Sequence, residues 1–402
     1  THAKTGLGGS MLMLGYGDKP YGADQFYGPF NSWERTKSWF AGLKQDLGSN
    51  TEFDFAFRRH TDEFVLFRDN PAAFENNHID KTWQADLRRH NQVSVNSTLF
   101  YGAEGIHESI TSNNLGNHDR SRGAVYLDYD VRAWKRFSFS ASAREEILNG
   151  SHGEFNPALS GGVWLRSGLK LKASASRAFR LPSYTDLDYH DPANLGNPLL
   201  GPESAWDYEG GVQWAHGGRW KTELTVFDRR DSGVIDYVLR SCSEIPAQGL
   251  PAGITCSPPS ATIYHAENLQ NLNFTGVEAS FELRLSHAQH VEFAYTELYG
   301  VRKSLNGLQT KYSFNYPVHD AVVAWNGRLP KRLVARSRLG VLDPYGSDPY
   351  ALLDVGIARE FNHFAAHLVL SNLSDTQYQE IPGVVMPGRN VIFGLDFFLR
   401  GR

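Results

Sequence analysis

Residues 50–59 read NTEFDFAFRR. Phe53, Phe55 and Phe57 fall on one side of an extended chain, and Glu52, Asp54, Ala56 and Arg58 on the other, because alternate residues of a strand face opposite ways. Two surroundings accept such a strand. A soluble β-sandwich seals the rings in a dry core and leaves the charges in water. A membrane barrel gives the rings to lipid and the charges to a wet or protein-filled lumen. Continuing along the strand, the odd positions turn to Arg59, Thr61 and Glu63. A strand that loses its apolar face partway along fits one that leaves hydrocarbon better than one inside a closed core.

The same period of two runs through most of the chain. Phe137, Phe139, Ala141 and Ala143 alternate with Ser138, Ser140, Ser142 and Arg144. Val277, Ala279, Phe281, Leu283 and Leu285 alternate with Glu278, Ser280, Glu282 and Arg284. Val125, Leu127, Tyr129 and Val131 stand opposite Asp128, Asp130 and Arg132, and Val391, Phe393, Leu395, Phe397 and Leu399 close the series. These are strands with one apolar face, and no helix of three turns is evident. The pattern predicts roughly eighteen strands, over 9–16, 31–47, 51–67, 79–92, 93–106, 121–134, 136–149, 159–167, 169–180, 205–216, 219–239, 262–285, 290–303, 309–326, 331–343, 349–361, 363–372 and 389–400.

The connections alternate in length. Short turns are expected at LGSN, WKR, RSG, HGG, SHAQ, LPK and FNH, and long polar segments at 17–30, 68–78, 107–120, 181–204, 240–261 and 373–388. Tight turns at one end and long loops at the other belong to an outer-membrane barrel, whereas a sandwich mixes lengths at both ends. Aromatic residues form 13% of the chain. Many fall near strand ends, among them Trp134, Trp164, Trp206, Trp214, Trp220, Tyr299, Tyr312, Tyr316 and Trp325, as expected where rings collect at a membrane interface. The expected fold is therefore all-β, a transmembrane antiparallel up-and-down barrel.

Composition narrows the chemistry. The 402 residues carry a net charge of −4 with 41% apolar residues, a foldable chain without the basic clustering of nucleic-acid binders. No apolar run reaches the ~18 residues of a membrane helix, and GSMLMLGYG near the start lacks the flanks of a signal peptide. Cys242 and Cys256 flank a Pro/Gly-rich segment. They either close that loop as a disulfide or remain two thiols, and their spacing matches no zinc site. His-Glu-x-x-His, the P-loop and Gly-x-Ser-x-Gly are absent. His107, Glu108, His118 and Asp119 share one polar segment, which reads as a solvated loop before a metal site. Asp128 with Asp130, and Glu145 with Glu146, read as a hydrated lumen wall before calcium or acid–base sites. No catalytic, metal or cofactor site is expected.

Three blocks resemble TonB-dependent outer-membrane receptors. Ser174 to Trp214 is similar to a barrel segment of that family, with Phe179, Arg180 and Pro182, then Asn197, Pro198, Leu200, Pro202 and Glu203, then Tyr208, Glu209 and Gly211. NLNFTGVEASFEL resembles its Gly-Val-Glu strand. Residues 371–398 resemble its last hairpin, with Asn372, Leu373, Asp375, Tyr378, Gly383, Pro387, Gly388 and Arg389. The wording leans toward the cobalamin and siderophore branches.

The resemblance implies a barrel of about 22 strands around a plug. Residues 1–402 would then be a barrel that is N-terminally incomplete, without plug or first strands. It implies energy-coupled uptake of a scarce nutrient, a ferric siderophore or a cobalamin-like ligand. The partners would be a TonB-type coupling protein reached through the plug, outer-membrane lipid, and a small metal-chelate or vitamin ligand, with no nucleic acid. Passive diffusion through a pore is the alternative, followed by an outer-membrane hydrolase or a soluble β adhesin. Ligand contacts are expected from loop aromatics and polar groups: Tyr184, Tyr189, His190 and Asp191, with Tyr21, Phe26 and Tyr27. Arg180, Glu203, Glu209 and Arg389 are expected to be lumen charges pairing with one another. Pro182 and Pro198 are expected to end strand pairing, and Gly388 to permit a tight approach to the last strand.

Overall fold

The computed structural model describes residues 2–24, 28–134, 136–148, 152–269, 271–300, 307–312, 316–380 and 384–398. Its strands begin with β1 (His2–Thr5), β2 (Gly8–Gly22), β3 (Trp33–Asp46), β4 (Thr51–Val65), β5 (Glu75–Ser94), β6 (Ser97–Ser112) and β7 (Gly116–Trp134). There follow β8 (Phe137–Leu148), β9 (His152–Arg166), β10 (Leu169–Arg180), the short helix α1 (Tyr184–Asp188), β11 (Asn194–Leu195), β12 (Glu203–His216) and β13 (Trp220–Ser232). Then come β14 (Val234–Ser241), β15 (Thr262–Leu269), β16 (Leu272–Ser286), β17 (Gln289–Gly300) and β18 (Pro317–Leu329). The chain ends with β19 (Leu333–Pro344), β20 (Tyr350–Glu360), β21 (Phe364–Ser371) and β22 (Asn390–Phe397).

Nineteen of these strands form one antiparallel sheet in which chain neighbours are sheet neighbours, apart from the detour through β11, β14 and β15. Among the described residues no pairing joins β1 to β22. Tight connections at 47–50, 95–96, 167–168, 217–219, 287–288, 330–332 and 361–363 lie at one end of the sheet, the turn end. Long segments lie at the other, the loop end. Among the described residues no helix is long and apolar enough to cross a membrane.

Register explains the opening alternation. Leu43 pairs with Leu12 and with Phe55, and Phe55 pairs with Ala85. Further round, Ala103 faces Val125, Leu127 faces Ala143, and Ala141 faces Leu159. Phe281 faces Phe293, which faces Val323, which faces Leu339. A one-residue slip anywhere would break this band. Among the described residues no second sheet lies on it: Leu14 is 75% exposed and Phe393 67%. A contiguous apolar surface of this extent belongs in lipid. It rules out the sandwich.

The other face is ionic. Glu52 pairs with both Lys44 and Arg88, and the Tyr126 hydroxyl donates to Asp86 at 2.9 Å. Arg144 bridges Glu104 and Glu146 at 2.5 and 3.0 Å, Arg122 joins Glu146 at 2.9 Å, and Arg120 joins Glu108 at 2.6 Å. Lys172 reaches Glu223 across the next strands. These charges bond to one another in place of bulk water, so the inner wall keeps its geometry.

Several sequence expectations need correction. Residues 107–120 are not a loop: β6 runs to Ser112, β7 starts at Gly116, and full pairing continues between them. Polar strands are still paired above the lipid, where no apolar face is required. The turn at 95–96 falls inside the expected strand 93–106. The expected 309–326 begins only at Pro317, and His2–Thr5 adds a strand. Trp164 sits on the inward face, with the Lys170 ammonium 4.5 Å from its ring centroid, rather than in an outer belt. The Trp214 and Trp220 rings, 4.8 Å apart, do lie on the outer face near the turns.

The strands expected at 219–239 and 262–285 each divide. Gly233 has φ +66°, a conformation costly for other residues, and it redirects the chain from β13 into β14. β14 pairs with β15, and β15 with β11, as a small separate sheet at the loop end. Asn268 staples its root, donating to the carbonyls of Gly233 and Gly201 at 2.7 and 3.0 Å. It has its own core of Val238, Leu269 and Leu272, with Leu195, Ile245 and Ile263 beyond. Cys242 and Cys256 are disulfide-bonded across the connecting loop, with Cα atoms 5.2 Å apart. Arg240 donates twice to Glu267, at 2.8 Å each. Burial pushes the Glu267 carboxyl up, but Arg240 and His265 outweigh it and hold it at about 2.

Three outcomes follow. Phe293→Arg, on the lipid face, should lower folding stability in lipid vesicles by about 2–4 kcal/mol, while the inward Ala294→Arg should cost no more than about 1 kcal/mol. Replacing Cys242 and Cys256 by Ser should cost the loop sheet about 3 kcal/mol, seen as faster hydrogen exchange in β14 and β15 with β17 to β21 unchanged. The Glu267 contribution should be complete above pH 4.5 and lost as the pH falls through about 2, so proteolytic cutting of 240–261 should rise across that window.

Candidate functional site

The inner wall and the root of the loop sheet at Val234 line an open cavity of about 700 Å³ at the loop end. Register sets its wall. Phe227 on β13 faces Glu209 on β12 and Gly276 on β16, while Arg229 faces Asp207 and Phe274. Glu278 faces Thr225 and Thr296. Arg229 donates to the buried Asp231 at 2.8 Å and keeps half its side chain open to the cavity. Tyr312 and Tyr316 enter from the loop that follows β17. The Phe274 and Tyr316 rings meet edge-on at 5.6 Å, and the Tyr316 hydroxyl accepts the Gly300 amide at 2.9 Å. Tyr312 and Tyr316 therefore belong to the interior and not to an interfacial belt.

The loop segment 307–312 extends the small sheet. Thr310 bridges Val238, and the Tyr312 amide donates to the buried Asp236 at 3.1 Å. The Lys311 ammonium donates to Asn194 at 2.8 Å and lies 5.3–5.9 Å from the rings of Tyr237, Tyr264 and Tyr312. Burial raises the pKa of the Tyr237 hydroxyl, so it stays a neutral donor, here to the Thr185 carbonyl at 3.3 Å.

Arg180 and Glu203 are paired at 2.6 Å, and both line the cavity. Arg180 also holds Asp186 at 3.0 Å, and Asp186 completes the capping box that starts α1 at Ser183. Glu203 accepts the Ile235 amide at 2.8 Å. This triad ties the barrel wall to α1 and to β14. Phe179 is the penultimate residue of β10, opposite Ser204. Pro182 is buried, and its carbonyl accepts from Arg120 at 2.7 Å. Asn197 donates to the Ala266 carbonyl at 3.0 Å, Pro198 and Pro202 are exposed, and Glu209 accepts from Ser174 at 3.3 Å. In the last hairpin the Asp375 carboxylate accepts the Arg389 amide at 2.9 Å. Gly388 is packed against that carboxylate: a Cβ there would meet it at 3.1 Å.

The proposed contacts of the loop after β10 lie together, and most of their polar groups are used inside the fold. The Tyr184 hydroxyl donates to the Glu108 carbonyl at 3.4 Å, and its ring is stacked 5.8 Å from His118. Burial raises the Tyr184 pKa. Tyr189 donates to Asp191 at 3.0 Å, and Asp191 accepts the amides of Ala193 and Asn194 at 2.6 Å. The His190 carbonyl accepts from Asn114 at 2.8 Å, while its buried Nδ1 has no partner among the described residues. Alternation places Tyr21 on the inward face of β2, opposite Glu34. Phe26, Tyr27 and Gly383 lie outside the described residues. Sequence reading passed over Arg229, Asp231, Phe227 and Phe274. Their signal was FDRRD and NLNF, charged and aromatic residues on the inward parity of strands near the loop end.

Among the described residues no three side chains are grouped as metal ligands. Charges held by neighbours and flanked by rings suit non-covalent capture of a mixed polar and aromatic molecule.

Comparisons with known proteins agree with this architecture. Residues 4–373 match the family described as TonB dependent receptor-like, beta-barrel. The vitamin B12 transporter BtuB of Photobacterium profundum is 29% identical over 177 residues, 42% of this chain and 27% of that transporter's length. The siderophore receptor PirA of Acinetobacter baumannii superimposes with a TM-score of 0.76 at 12% identity, over 98% of this chain and 69% of that one. The hemophore receptor HasR of Serratia marcescens gives 0.75 at 13% identity, over 98% and 70%. With a lipid-facing band, an ionic inner wall and a family match across nearly its whole length, the chain belongs to the TonB-dependent receptor β-barrels, proteins of the bacterial outer membrane.

Proposed function

We propose that this chain supplies the barrel of an energy-coupled receptor that captures a scarce, bulky nutrient outside the cell and passes it inward. The nutrient class is a ferric siderophore or a cobalamin-like molecule. The cavity below the loop sheet carries this reading. It offers a guanidinium at Arg229, carboxylates at Glu203 and Asp231, and rings at Phe227, Phe274, Tyr312 and Tyr316. Its volume of about 700 Å³ falls within the usual range for ligand sites. Tyr21 and the loop bearing Tyr184, Tyr189, His190 and Asp191 form the proposed rim. A family plug, outside this sequence, would fill the lumen and link it to a TonB-type protein. The work is binding and gating, with no bond made or broken.

The PirA and BtuB likenesses support the ligand class, since those proteins are named for siderophore and vitamin B12. The test is equilibrium binding of ferric siderophores and cobalamin to the receptor purified in detergent. Arg229→Ala and Tyr312→Ala should each weaken the bound ligand about tenfold, the loss of one charge-assisted bond or one buried ring contact. Cellular uptake should stop when the proton-driven coupling protein is deleted. Binding of no member of the panel, together with a steady ungated conductance in planar bilayers, would establish a passive pore instead.

A further inference from the structure

The wall carries another open cavity, of about 750 Å³, at the turn end of β12, β13 and β16 to β19. Register places its polar side chains. Lys221 faces Glu282, and Glu282 faces Glu292, on the parity opposite to Trp220, Leu283 and Phe293. They therefore point into the lumen. Arg284 has the same parity and faces His290, which faces Asn326 on β18. Arg219 and Arg328 line the same space. The Arg284 amide donates to the Arg219 carbonyl at 2.8 Å, and the Arg328 amide to the Ala288 carbonyl at 2.7 Å. A Cβ on Gly218 would lie 4.0 Å from an Arg284 guanidinium nitrogen, so that group reaches toward the turn bearing Arg219. Backbone bonds thus fix three arginines, from three hairpins, around one mouth.

Their charges are not matched. Glu282 has Lys221 at 3.8 Å, and Glu292 has His290 at 3.1 Å. Among the described residues Arg219, Arg284 and Arg328 have no carboxylate within salt-bridge distance. Elsewhere on the inner wall Arg88, Arg120, Arg122, Arg144 and Lys172 each hold one. A cleft lined by one sign of charge focuses its field and concentrates the opposite ion. Guanidinium forks bind paired oxygens of an anion better than a point charge does. The cavity volume is in the range of small-molecule sites. Capture takes place at the loop end, outside the cell, and the short turns face the periplasm. Cargo meets this mouth only as it leaves.

We propose that Arg219, Arg284 and Arg328 form an exit-side subsite for a polyanionic ferric chelate released from the loop-end cavity. This rests on the uptake reading above and narrows its cargo to the anionic class. The experiment measures uptake of two iron-labelled probes, a trianionic ferric tris-catecholate and a neutral ferric tris-hydroxamate. The full-length receptor is expressed in cells lacking their own ferric-chelate receptors, and surface binding of each probe reports loop-end capture separately. Arg284→Gln with Arg328→Gln should slow saturated uptake of the trianionic probe about tenfold. Its surface binding and half-saturating concentration should not change, nor should uptake of the neutral probe. Arg284→Lys with Arg328→Lys should retain most of the wild-type rate. Arg132→Gln, which removes a turn-end cation already held by Asp130, should change nothing. The single exposed Arg328→Gln, checked for heat-modifiable gel mobility and surface binding, serves if the double variant does not fold. Unchanged uptake in the Gln variants would overturn the subsite. Equal slowing of both probes would assign the arginines to holding the barrel or its plug, and would overturn it too. A wild type that imports only the neutral probe would overturn the anionic subsite and leave the uptake reading standing. One that imports neither probe nor cobalamin would overturn both.

Discussion

Each backbone amide and carbonyl within hydrocarbon must find its partner inside the protein. That single demand organises the rest. It forces consecutive strands into one continuous ladder, and the ladder fixes side-chain direction by parity. Once Phe55 is opposite Leu43 and Ala85, Asp54 is committed to the interior opposite Lys44 and Asp86. Lipid outside and charge inside are one decision made at every residue. Packing against a second layer contributes little in the barrel wall. The buried apolar clusters of Val238, Leu269 and Leu272, and of Leu195, Ile245 and Ile263, lie in and around the loop sheet.

The interior charges are distributed in chains rather than isolated pairs. Arg120, Glu108, Arg122, Glu146, Arg144 and Glu104 are linked in sequence across three adjacent strands. Such linkage holds each side chain from two sides, so the wall presents a fixed pattern of donors and acceptors to whatever occupies the lumen. At the loop end the same arrangement appears with Arg180, Glu203 and Asp186, which lock the start of α1 to the barrel and the root of β14.

The transmembrane part of this fold was legible because lipid enforces a strict period. Phe137 to Ala143, Val277 to Leu285 and Val391 to Phe397 were read in the correct phase from sequence alone. Legibility fell where the enforcement stops. Residues 107–112 and 116–120 carry no outward apolar face, yet they are fully paired, since water places no demand on outward side chains. The break at Gly233 was hidden for a related reason: a strand that changes sheets keeps its alternation on both sides of the bend. Trp164 and Tyr316 misled because an amphipathic ring suits an interface and a wet interior equally well. The motif residues Arg180 and Glu203 were legible as lumen charges that pair. The cavity they border was not, because it depends on Arg229 and Phe274 meeting residues of the distant loop before β18.

The detour between β13 and β16 has a consequence for how such a barrel diversifies. The chain leaves the wall at Gly233 and re-enters it at Leu272, and β13 is directly paired with β16 as though nothing lay between them. The excursion carries its own disulfide and apolar nucleus. It is thus a cassette hung on an uninterrupted scaffold. Descendants could exchange, lengthen or delete it without disturbing a single inter-strand bond of the membrane wall, so new cargo preferences would arise there long before the wall itself had to change.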